Sequence, residues 1–184
     1  MWYPASVVTP PADEPVSAAE VKAQTVVDHA DDDVLLARLI EAARSYVEAY
    51  CGIRLAKRTL SIRCDSFGDF CRLPEAPAQS ADLTIEYIDR AGDEQTLAGT
   101  VYELSPCLDG LEAAIVLKPG QTWPAIQPRS RITVEVTVGY NAVPPAIKHA
   151  MLIWIADAYA KRGSELQTSW TAFDALLCNF RRGV

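Results

Sequence analysis

Apolar residues between Asp31 and Cys51 recur every three or four positions. Leu35, Leu36, Leu39, Ile40, Ala43, Tyr46, Val47 and Tyr50 fall on one helical face, and Arg38, Glu41, Ser45 and Glu48 form a polar stripe opposite. Asp31, Asp32 and Asp33 open the segment, where free N–H groups and the helix dipole favour carboxylates, and Gly52 suits the left-handed position that closes many helices. A helix of this length spans roughly 30 Å. So wide an apolar face must lie against the rest of the chain or against a neighbouring copy. Upstream, Ser17 and Glu20 make a capping box for a short helix ending near Gln24 or Thr25, with Val16 placed to pack on Val21. Pro4, Pro10, Pro11 and Pro15 hold residues 1–15 in an extended arm. Its Trp2, Tyr3, Val7 and Val8 can dock within the fold or on a partner.

Between Ile53 and Val138 the period changes from that of a helix to that of a strand. Leu60, Ile62 and Cys64 alternate with polar residues, as do Leu83, Ile85 and Tyr87, and Tyr102 and Leu104. Ala91-Gly92-Asp93 marks a hairpin turn before Gln95-Thr96-Leu97, and Ile115-Val116-Leu117 reads as a short buried strand. The strongest strand pattern is Ile132, Val134, Val136 and Val138, alternating strictly with Thr133, Glu135 and Thr137. Loop signals separate these runs: Ser66–Asp69, Pro74–Pro77, Asp109-Gly110, Lys118–Gly120 and Trp123-Pro124. Six or seven short strands with tight turns predict an antiparallel sandwich or small barrel.

Helical character returns at Val143-Pro144-Pro145, since proline is accepted in a first helical turn. Residues 150–156 contain no polar side chain, so this helix is either the central core element or a subunit contact. Lys161, Arg162 and Gly163 end it, and a polar loop runs to Gln167. A last helix, about Ser169 to Phe180, carries Trp170, Phe173, Leu176, Leu177 and Phe180 before the basic tail Arg181-Arg182-Gly183-Val184. The predicted class is α+β. A helical body of about four helices comes from residues 1–52 and 141–184, with residues 53–140 inserted as the β-module.

Charge narrows the function. The formal net charge is −7 over 184 residues, whereas a free-standing binder of nucleic-acid backbones is normally basic. Five cysteines at 51, 64, 71, 107 and 178 form no CxxC pair and no metal-ligand spacing, which reads as reduced thiols in a protein made in the cytoplasm. No apolar run is long enough to span a membrane, and the first fifteen residues lack the basic region and apolar core of a signal peptide. Nucleophile elbow, metalloprotease, P-loop and dinucleotide motifs are absent from the sequence. Asp28-His29 reads as a solvated turn and His149 as a packed or capping histidine, leaving no catalytic residue, cofactor or metal to assign. The expectation is a protein that is not an enzyme.

Pro15-Val16-Ser17 with Glu20 and Lys22, Asp28-His29, Asp31-Asp32, Leu35, Leu39-Ile40, Ala42-Ala43-Arg44, Val47-Glu48 and Cys51-Gly52 resemble the start of the head–tail connector, or adaptor, family of long-tailed bacteriophages, prophages and gene-transfer agents. Leu73-Pro74 with Pro77 and Ser80, Gly120-Gln121, Trp123-Pro124, Gly139-Tyr140 and Val143–Lys148 with Ala150 continue the resemblance along nearly the whole chain. Ala78 and Ala81 stand where bulkier apolar residues are expected.

The resemblance implies structural work at the virion neck: a ring of about a dozen copies beneath the portal protein. Such a ring extends the DNA channel without sequence-specific binding, and it offers a docking face to the tail terminator or other neck and tail proteins. It also implies that the C-terminal portion engages the portal. Within that portion Trp170, Phe173, Phe180, Arg181 and Arg182 are the expected contacts. Leu36, Ile40 and Trp154 are the positions expected at the subunit interface. The contrasting reading is a monomeric β-sandwich module that binds a carbohydrate or small ligand through Phe67, Phe70 and Trp123.

Overall fold

The computed structural model describes residues 1–79, 82–107, 111–161 and 171–182. The chain divides into two compact units. One comprises Met1–Ala12 with Lys57–Gly139, the other Asp13–Ala56 with Tyr140–Val184. The expected turn at Asp109-Gly110, Ser80 and Ala81, the polar loop 163–167 and the tail residues 183–184 lie outside the described residues.

The first unit is all antiparallel. β1 (Ser6–Thr9), β2 (Arg58–Cys64), β3 (Thr84–Ile88), β4 (Glu94–Thr96) and β7 (Ile132–Val138) form a five-stranded sheet ordered β1-β2-β7-β3-β4, while β5 (Tyr102–Cys107) and β6 (Glu112–Leu117) pair as a separate hairpin. The register of β2 on β7 sets Leu60 opposite Val136, Ile62 opposite Val134 and Cys64 opposite Ile132. One sheet face is therefore a continuous apolar surface, because side chains alternate along a strand. Ile85, Ile132 and Val134 share a core with Tyr102, Ala113 and Ile115 of the hairpin and with Phe70 and Leu73. The opposite face is polar: the hydroxyls of Thr59 and Thr137 lie 3.2 Å apart, and Thr137 Oγ1 donates to Asp82 Oδ2 at 3.2 Å.

The N-terminal arm, grouped with the helices in the sequence reading, belongs to this sheet. β1 pairs with β2, Tyr3 N–H donates to Arg63 O at 2.9 Å, and Trp2 Nε1 donates to the carbonyls of Asp69 and Arg72 at 3.0 and 2.9 Å. Its prolines exclude helix, and the extended backbone they impose suits an edge strand.

The second unit contains α1 (Ala18–Thr25), α2 (Asp33–Cys51), α3 (Pro145–Lys161) and α4 (Ala172–Leu177), followed by a 3₁₀ turn at Cys178–Phe180. The Ser17–Glu20 capping box closes α1, with Glu20 N–H donating to Ser17 Oγ at 3.2 Å and Ser17 N–H to Glu20 Oε2 at 2.7 Å. Gly52 ends α2 at φ 67°, in the left-handed region expected of it. Asp32 does not cap α2 with its side chain; its carboxylate accepts from the Tyr159 hydroxyl of α3 at 2.5 Å. α3 packs against α1, α2 and α4 and is the central element of the unit. Its Ile147, Ala150, Met151 and Ile155 are fully buried, while Leu152, Ile153 and Trp154 are only partly covered.

Two positions on α2 depart from the sequence pattern. The buried face is centred on Leu36, Ile40, Ala43, Val47 and Cys51, which places Arg44 and Glu48 on its margin. Glu48, assigned to the polar stripe, is 5% exposed. Its Oε1 accepts the Leu55 N–H at 2.8 Å, and its Oε2 lies 3.8 Å from Arg44 Nη1 and 3.6 Å from Arg54 Nη1. Arg44 Nε in turn donates to both oxygens of Glu14, at 3.1 and 2.8 Å. The carboxylate is tolerated inside because cations and an amide hydrogen bond replace its water. Tyr46, assigned to the buried face, is 46% exposed.

Candidate docking face on the helical unit

Helical spacing sets Tyr46 and Tyr50 one turn apart on α2, at the margin of its buried face. Their ring centroids are 6.2 Å apart and nearly parallel. α3 brings Trp154 onto Tyr46 at 5.7 Å, also stacked. α4 brings Phe173 to 5.4 Å from Tyr46 and 5.6 Å from Tyr50, tilted against both. The chain then returns along the end of α2. The Arg181 guanidinium lies 4.7 Å above the Tyr50 ring, and Arg182 N–H donates to Cys51 O at 2.8 Å. Tyr46, Tyr50, Trp154 and Arg181 thus make a partly covered surface packed on Phe173, which is 8% exposed.

Hydrogen bonds fix this arrangement from α4. Thr171 and Asp174 form a capping box, with Thr171 Oγ1 donating to Asp174 Oδ2 at 2.6 Å and Asp174 N–H donating back to Thr171 Oγ1 at 3.3 Å. The other carboxylate oxygen, Asp174 Oδ1, accepts from the Tyr50 hydroxyl at 2.6 Å. The Thr171 hydroxyl and then the Tyr50 hydroxyl hold the Asp174 carboxyl below its ordinary value. The hydrogen bond to Asp174 and then burial raise the Tyr50 phenol above its own. Both shifts describe an anion and a neutral phenol locked together. Beneath them burial pushes the Cys51 thiol up to about 11, against a smaller opposing pull from Arg181, so this cysteine is a packing residue.

Of the residues expected at a portal contact, Arg181 joins this face, while Phe173 is buried beneath it and supports its rings. Phe180 is half-buried in the closing 3₁₀ turn, and Arg182 is tied to the end of α2. Trp170 lies outside the described residues. Of the expected interface positions, Trp154 belongs to the aromatic face. Leu36 and Ile40 are 0% and 4% exposed within the chain itself and present no surface to a neighbour. Tyr46, Tyr50 and Asp174 are the members that sequence reasoning passed over. The signal available was the i, i+4 tyrosine pair on the margin of an amphipathic helix.

The alternative ligand site has a different geometry. Phe67 and Trp123 stack on each other at 4.8 Å and 4°, Phe70 meets both edge-on, and Trp2 stacks on Phe70 at 5.9 Å. Phe70 is 1% exposed. These rings occupy one another's faces and fill the core beneath the loops. His149 is exposed on α3. Among the described residues no group of three or more His, Cys, Asp or Glu is placed to hold a metal, and no helix is long and apolar enough to cross a membrane.

Residues 17–96 match the model of a family described as phage gp6-like head-tail connector protein, which bears out the resemblance read from the sequence. The curated proteins contain no match. Solved structures share the α+β fold end to end. A chain in the neck of an empty GTA particle computed with C6 symmetry superposes with a TM-score of 0.79 at 19% identity, over 99% of this chain and 97% of that one. A chain in the virion of a native gene transfer agent (GTA) particle gives 0.79 at 21% identity, over 98% and 96%. One in the neck of a native GTA particle computed with C12 symmetry gives 0.77 at 20% identity, over 99% and 97%.

Proposed function

We propose that this chain, which carries the head-tail connector family pattern over residues 17–96, is a structural protein of the neck of a phage or gene-transfer-agent particle. In this reading copies close into a ring beneath the portal, the ring continues the DNA channel, and its far side receives the tail. The role is assembly, with no reaction carried out. The family match is the observation that carries the reading.

The helical unit fits the task physically. Tyr46 is 46% exposed, and Leu152, Ile153 and Trp154 are only partly covered. Fully burying one large apolar side chain is worth about 1.5–3 kcal/mol, so a few per copy, repeated around a ring, hold an assembly together. A net charge of −7 suits a channel wall along which DNA slides without being gripped. The face of Tyr46, Tyr50, Trp154 and Arg181, backed by the buried Phe173, is the portal-facing surface. Aromatics and arginine are the residue types that dominate protein–protein contacts.

The test is capture of the full chain by its portal assembly, read by electron microscopy and by co-sedimentation. Truncation after Gln167, or Tyr46→Ala with Phe173→Ala, abolishes capture while the sheet unit keeps its circular-dichroism signal. Undiminished capture by both variants removes the assignment.

A further inference from the structure

Among the described residues the sheet leaves two edges unpaired, and they differ. β1 lies at one edge with all four of its residues exposed, Val7 at 58% and Val8 at 51%. Residues 2–12, which contain β1, carry no charged side chain. Sheet edges are normally protected by lysines, other charges or cover, because their free N–H and C=O groups recruit further strands. Among the described residues the protections of β1 are flanking prolines and a one-residue slip of register between Val7 and Thr9. β4 lies at the other edge, also exposed throughout.

Charge separates the two edges. β2, paired with β1, brings Arg58 and Arg63, and Lys57 precedes it, while the nearby Asp65 already accepts from the Tyr3 hydroxyl at 2.9 Å. β3, β4 and the turn between them bring Glu86, Asp89, Asp93 and Glu94 against Arg90, while the Arg131 guanidinium lies 4.1 Å above the ring of Tyr3 in the arm. Direction also agrees. Each neighbouring pair in the order β1-β2-β7-β3-β4 is antiparallel, so β1 and β4 run the same way. A second copy related by rotation therefore presents its β1 parallel to the first copy's β4, basic edge against acidic edge.

We infer that the β1 edge of one copy pairs with the β4 edge of the next, so that the sheets of successive copies join around the ring. This rests on the connector reading for the existence of a ring. Such a contact uses two different patches of one chain, the heterologous arrangement that closes by rotation, and its backbone hydrogen bonds tolerate the uncharged arm.

The test uses the full chain with exposed Cys71 and Cys178 replaced by serine, and with Val7→Cys and Gln95→Cys at the strand centres. Mild oxidation is expected to give a ladder of covalent dimers, trimers and higher species that closes at a fixed size. Each single-cysteine variant gives no ladder, and adding Val8→Lys to the double-cysteine chain abolishes it. Dimers from Val7→Cys alone mean that β1 pairs with its own copy, which overturns the inference. Rings on the portal without a ladder overturn it too, leaving the connector reading intact. A closed ladder from protein that no portal captures supports the edge pairing and removes the connector reading instead.

Discussion

The two units satisfy their apolar residues by different means. In the sheet unit strict alternation sends Ile132, Val134, Val136 and Val138 to one face, and all four are 0% exposed. In the helical unit α3 is apolar almost all round, and its neighbours cover only part of it. The same unit buries a charged group, Glu48, and half exposes an aromatic one, Tyr46. A strand has two faces, so one can be wholly inside and the other wholly polar. A helix touched on three sides keeps a margin that belongs to neither core nor solvent, and docking residues collect there. The lesson is that the sheet unit is finished within its own chain except at its edge strands, whereas the helical unit is left open along a surface.

That contrast can be broken experimentally. The largest effect is expected from Glu48→Ala in the helical unit, which removes the acceptor of the buried Leu55 N–H and leaves Arg44 with Glu14 as its ion-pair partner. Leaving a buried amide without its acceptor costs about 1–3 kcal/mol, seen as a lower urea midpoint. A loss well under 1 kcal/mol would mean that water reaches the site. In the sheet unit Ile62→Val removes one buried methylene and costs about 1 kcal/mol; a larger loss would show that the sheet core is less able to adjust than the helical one.

Thr171→Ala removes the cap of α4 and costs about 1 kcal/mol. Its useful readout is Tyr46 and Tyr50 fluorescence and near-ultraviolet dichroism, which shift only if the cap positions the aromatic face. The smallest effect is in pH. Asp174 titrates below its ordinary 3.8 in the folded chain, so its contribution is present above that value and is lost as pH falls through the folded one. Tyr50 titrates above its ordinary 10.0, so its contribution is present below that value and is lost as pH rises through the raised one. Thermal unfolding of the wild type against Asp174→Asn should converge in acid and separate at neutral pH. Parallel curves throughout would sever the link between the carboxylate and the latch.

Much of this was legible before any coordinates. The Ser17 capping box, the Gly52 stop, the hairpin at Gly92 and the alternation of β7 are local signals, set by backbone sterics and by the pairing of neighbouring groups. So was the connector resemblance, carried by residues such as Pro15-Val16-Ser17 and Cys51-Gly52 that mark element ends.

Long-range partners were not legible. Glu48 reads as part of a polar stripe, and only the fold buries it among Arg44, Arg54 and the Leu55 N–H, close as these are in sequence. Nothing near Tyr50 announces Asp174, which is 124 residues away. Prolines told that the arm is extended, but only the fold supplied β2 as its partner. Sequence by itself determined the stops, caps and turns of the clearest helices and strands, because those depend on neighbours within a few residues. Tertiary structure alone decided which margin is covered and which left open, because burial depends on groups brought together from opposite ends of the chain.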